Sequence, residues 1–96
     1  MMYMIATDVR NDDQIVKERL AAAIKTMGNW SNRLESCWLL ETNTSARRIR
    51  DHLKQFLGDT DRLFVARISR NWAGRNMGQG FPDWMQRREF GEFPNG

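Results

Sequence analysis

The chain has 96 residues, which suits one domain with one modest core. Its composition, 41% hydrophobic and 28% charged, excludes a low-complexity or fibrous chain. A single cysteine, Cys37, excludes an internal disulfide. No apolar run approaches the roughly 20 residues that span a bilayer, and no basic-then-apolar leader opens the chain, so a cytoplasmic protein with no membrane partner is expected. The net charge of +3 is unevenly placed: residues 62–96 carry six arginines against three acids, while residues 1–61 balance. Arginine forks suit phosphate oxygens. A polyanionic partner and an ordinary solvated surface both fit that excess.

The first predicted element is Met2-Tyr3-Met4-Ile5-Ala6-Thr7-Asp8, an apolar run that stops at an acid. It reads as a buried strand. Met4, Ala6 and Asp8 share one face, and Tyr3, Ile5 and Thr7 the other. A buried carboxylate needs a donor, a cation or a metal. Asp8 is therefore either a metal-binding acid or a residue that caps the next turn or pairs with Arg10.

A helix is predicted over about residues 12–27. Asn11 would cap it, with Gln14 three residues on, Asp12 and Asp13 in the first turn and Gly28 just past the end. Val16, Leu20, Ala23, Ile24 and Met27 form its apolar stripe. Residues 30–34 and 37–42 read as two strands divided at Glu35-Ser36. A hairpin turn without glycine is unusual, so a bulge or a bent continuous strand is the alternative.

Thr42-Asn43-Thr44-Ser45 offers several capping oxygens before a second helical stripe of Ala46, Ile49, Leu53, Phe56 and Leu57. Arg47, Arg50 and Lys54 face away, with Asp51 beside them. The lone His52 reads as solvated, and Cys37 as core with no zinc-like spacing around it. Residues 62–69 alternate as a last strand.

Beyond Ser69 periodicity fails. Residues 70–96 hold five of the seven glycines and both prolines, with Trp72, Phe81, Trp84, Phe90 and Phe93 scattered among them. They read as an irregular, basic arm, partly disordered at its end, that packs on residues 1–69 or on another copy. Arg67, Arg70 and Arg75 flank Trp72, an arrangement suited to phosphate contact with base stacking. The bland alternative is an anchored Trp72 with solvated arginines.

The order strand, helix, strand, strand, helix, strand predicts an α+β, ferredoxin-like βαββαβ fold: an antiparallel sheet with two helices on one face. The other face would stay uncovered and invite a second copy, so a homodimer is expected. Phosphate-cradling glycine loops, dinucleotide fingerprints, nucleophile elbows and the aromatic pattern of an RNA-recognition motif are absent from the sequence.

With its opening strand ending in Asp8 and the step Leu34-Glu35-Ser36-Cys37-Trp38-Leu39-Leu40-Glu41-Thr42, the chain resembles the smaller CRISPR spacer-acquisition protein (the Cas-two family) over about residues 2–69. It is similar too to the VapD-type toxin ribonucleases and to short SinR-like proteins. The resemblance implies a dimer acting on RNA or DNA, with an Asp from each copy holding Mg2+ or Mn2+. Asp8 matches the family acid, and Ser36 and Trp38 its serine and aromatic. Arg33 falls near a basic position, within about one residue. Asp8, Arg33 and Ser36 would then be the catalytic set of an endonuclease, with Asp8 the metal ligand. Two features depart from the family: Thr7 stands where an aromatic is usual, and the arm after Ile68 is not the family's short closing strand.

Overall fold

The computed structural model describes residues 1–91. Phe93, and the expected disorder at the end of the arm, lie outside them. The elements run β1 (Met2–Asp8), α1 (Gln14–Lys25), β2 (Asn29–Leu34), β3 (Cys37–Glu41), α2 (Ala46–Leu53), β4 (Arg62–Ile68) and α3 (Phe81–Gln86). The α+β expectation is met: the four strands form one sheet of order β2-β3-β1-β4, with every neighbouring pair antiparallel.

β1 is central because it carries apolar residues on both faces. Tyr3 and Ile5 join Leu20, Ala23, Ile24, Trp38, Leu40, Ile49 and Leu53 in the main core beneath α1 and α2. Tyr3 keeps its hydroxyl satisfied there by donating to the Thr44 carbonyl at 2.5 Å. β2 and β3 form a hairpin with Leu34 opposite Cys37 and an irregular register between Ser31 and Leu34. The turn dispenses with glycine by placing Ser36 at φ +60°, a conformation that small polar residues tolerate better than bulky ones.

Several local expectations are corrected. Asn11 does not cap α1. It sits in a single 3-10 turn at φ +58°, and Asp13 caps instead, accepting the Ile15 and Val16 amides. Asp13 lies one residue outside α1, so its oxygen reaches the free first-turn N–H groups that Asn11 is too far upstream to meet. Gly28 does not serve as the helix terminator. Thr26 ends α1, and a Cβ on Gly28 would lie 1.9 Å from the Glu41 carbonyl oxygen. The glycine is there because two backbones touch. At α2 the ambiguous cap resolves to Ser45, which accepts the Arg48 amide, and the helix runs on as a 3-10 turn over Lys54–Phe56.

The described arm is irregular over most of its length, as expected, but it carries one short helix, α3. Pro82 stands in the first turn of α3, where a missing N–H costs nothing. Phe81, Met85 and Phe90 bury themselves with Met2 in a second core, against Leu39 and Ile68 of the sheet. Each such side chain contributes about 1.5–3 kcal/mol on burial. The sheet face expected to be bare is thus covered by the chain's own arm at the amino end of β1. Its other end keeps half-buried Met4, Ala6, Cys37 and Ala66, with Phe64 62% exposed.

Candidate functional site

β1 delivers Asp8 to its carboxyl end, where antiparallel register sets it opposite Arg62 at the start of β4. The Asp8 side chain is exposed. It has no hydrogen bond or ion pair among the described residues, so neither alternative, the turn cap or the Arg10 pair, is formed. The Arg10 amide donates to Asp61 instead, at 2.7 Å. Ser36 comes to the same end, because its carbonyl accepts the Thr7 amide at 3.0 Å and ties the β2–β3 turn to the residue before Asp8.

The arginines behave differently. Arg33 turns its guanidinium to the arm and donates to the Met77 and Gln79 carbonyls at 3.0 and 3.3 Å. Arg67 donates to the Phe90 carbonyl at 2.9 Å. Arg70 donates to the Arg88 carbonyl at 3.0 Å and lies over the Phe90 ring at 4.7 Å. Trp72 meets Phe81 edge-on at 5.8 Å. Arg75 is exposed and forms no hydrogen bond or ion pair among the described residues.

The expected constellation therefore splits in two. Asp8 and Ser36 stand at the carboxyl end of β1, with Arg62 beside them. Arg67 and Arg70 belong to the other end, where Arg67 lies opposite Tyr3, five residues or about 17 Å along β4 from Arg62. There they act as arm fasteners. Arg62 was missed in the sequence, although an antiparallel β4 beside β1 necessarily starts where β1 stops.

A second missed cluster latches the arm. Glu41 accepts the Glu89 amide at 2.5 Å and the Asn29 side chain at 2.8 Å, and Arg88 approaches it at 3.4 Å. Desolvation pushes the Glu41 carboxyl up. The Glu89 and Asn29 hydrogen bonds, with the positive charges of Arg88 and the N-terminus, outweigh it, and the net result lies below the ordinary glutamate range. His52 is exposed and packs edge-on against Phe56. Arg50 and Lys54 pair with Asp51, as expected of a solvated helix face. Cys37 is half-buried, and burial pushes its thiol up, which disfavours the reactive thiolate.

Among the described residues no three His, Cys, Asp or Glu side chains cluster as a metal site would require. One chain alone does not fit Mg2+ or Mn2+ at Asp8: it offers a single carboxylate. No helix among the described residues is long and apolar enough to cross a membrane. In comparisons with known proteins, no family model, curated protein or solved structure matches the chain.

Proposed function

We propose that this chain is a ferredoxin-like protein of the Cas-two/VapD type that works as a cytoplasmic homodimer, binds RNA or DNA, and hydrolyses its phosphodiester bonds with Mg2+ or Mn2+. The observation that carries the reading is Asp8: an exposed, unpartnered carboxylate at the end of the central strand. The element order and the strand order β2-β3-β1-β4 support the ferredoxin-like plan. The exposed Phe64, beside half-buried Met4 and Ala6, supports a second copy on the carboxyl half of the sheet face.

In this reading the metal fits only across a two-fold axis, where each copy contributes one Asp8. A divalent ion held there would supply charge neutralisation at phosphate. Ser36, at the same end, would orient the phosphate by hydrogen bonding. Arg33 drops out of that role as long as its guanidinium holds the arm, and Arg62 is the guanidinium better placed to replace it.

A second reading, a nucleic-acid scaffold without chemistry, is favoured by exposed Arg75 and part-exposed Trp72 near one another in the arm. A protein-interaction or regulatory role for the fold is the remaining alternative. Binding and cleavage of labelled single- and double-stranded RNA and DNA separate them, with Mg2+, Mn2+ and EDTA run in parallel. The nuclease reading expects metal-dependent cutting that Asp8→Ala abolishes. The scaffold reading expects salt-sensitive binding that Asp8→Ala leaves intact. Absence of any salt-sensitive binding sinks both.

A further inference from the structure

A cleft opens on the helix side of the sheet, between α1 and the β2–β3 hairpin. Its volume is about 270 Å³, and Leu20, Ala21 and Trp38 give it an apolar floor. Glu18 and Glu35 stand on its rim with Asn32. Neither glutamate has an ion pair or hydrogen bond among the described residues. Lys17 is the cation that lines it, and its ammonium is taken by the ion pair with Asp12. The uncompensated charge around the cleft is therefore negative, although the chain as a whole is +3.

From this geometry we propose that the cleft binds a small organic cation: a guanidinium or primary ammonium group on a slender apolar stem. The stem fits the Leu20, Ala21 and Trp38 floor, and the head meets the two carboxylates. Trp38, which lines the cleft, adds a second attraction. Outside the cleft it packs against Trp30 with ring centroids 5.6 Å apart, and the Trp30 ring is itself taken by the Lys25 ammonium at 4.7 Å. An indole that is screened from water on one side attracts a cation more strongly than an exposed one. Thr7 and Ser36 also line the cleft, so it adjoins the Asp8 end of β1, and the negative charge on its rim disfavours a polyanion inside it.

The test is a titration of the full chain by 1H–15N correlation spectroscopy. The probes are agmatine, N-butylurea as an uncharged analogue, and a blocked arginine peptide. Agmatine is expected to shift the Trp38 indole and the Asn32 and Ser36 amides saturably, at least about tenfold more tightly than N-butylurea. The Glu18→Gln/Glu35→Gln variant should lose that preference. Ala21→Leu, which fills the cleft from a half-buried helix position, should block binding while the rest of the spectrum stays folded. Tighter binding of agmatine than of the peptide identifies a free small molecule as occupant, and the reverse identifies an arginine side chain of a protein. Equal binding of agmatine and N-butylurea, no saturable shift up to about 10 mM, or unchanged binding by the double variant overturns the proposal.

Discussion

The Arg33 guanidinium reaches across from the edge strand β2 to the Met77 carbonyl at 3.0 Å, a contact between residues 44 positions apart. It turns a residue expected near phosphate into a clasp on the arm. Arg33→Ala removes this bond and the one to Gln79. The expected loss is about 1–2 kcal/mol in denaturant unfolding, with faster amide exchange over residues 77–80. Arg75→Ala, at an exposed position, should change stability by less than about 0.5 kcal/mol.

The arm is part of the fold and not a lid. Phe90→Ala and Met85→Ala each empty a buried position in the second core, and each is expected to cost about 2–5 kcal/mol. Removal of residues 70–96 should expose Met2, Leu39 and Ile68 together and produce association or aggregation, measured by light scattering. A truncated chain as stable and monodisperse as the full one would contradict this.

Gly28 tests the close approach of two backbones. Its added methyl group would overlap the Glu41 carbonyl oxygen, and backbone yields less readily than a side-chain tip. Gly28→Ala is therefore expected to destabilise by about 1–3 kcal/mol, against a smaller effect for Gly58→Ala, where the nearest atom to an added Cβ is the Asp61 Oδ2 at 3.4 Å, an ordinary contact.

The Glu41 latch makes part of the stability depend on pH. Its folded pKa is depressed, so the unfolded chain binds the proton more readily. The stabilisation is then present above the ordinary glutamate pKa, about 4.3, and is lost as the pH falls through the lower folded value. Glu41→Gln should be less stable than the parent at pH 7, with the difference shrinking below about pH 4. Unfolding curves across that range check the sign.

β1, β3, β4 and the two longer helices were legible because each carries apolar residues at its own period, whereas β2 offers only Trp30 and Leu34, both exposed. Ile5 and Leu40 on strands, and Ile24 and Ile49 on helices, all end fully buried. What was not legible depends on contacts distant in sequence or on very short elements. α3 has six residues, too few for a periodic signal. Asp13 and Asn11 are equivalent capping residues by type, and backbone geometry alone separates them. Gly28 reads as a helix stop until Glu41 is seen against it. At the candidate site, Asp8 was visible as an acid ending an apolar run. The duties of Arg33, Arg67 and Arg70 were not, since their acceptors are main-chain carbonyls that every residue possesses. The cleft residues Glu18, Asn32, Glu35 and Trp38 show no common spacing.

The central claim is that two copies bring their Asp8 carboxylates together, since one chain offers a metal too little. The most direct test is Asp8→Cys in a Cys37→Ser background, treated with a short bis-maleimide at low protein concentration. Carboxylates that share one metal ion hold their Cα atoms up to about 10 Å apart, beyond the roughly 7 Å reach of a direct disulfide, and the linker spans that gap. The account predicts rapid, near-complete conversion to a covalent dimer that Mg2+ no longer affects, while a control thiol at Arg75→Cys couples slowly. A chain that stays monomeric by sedimentation, or that couples no faster through Asp8→Cys than through Arg75→Cys, would contradict it.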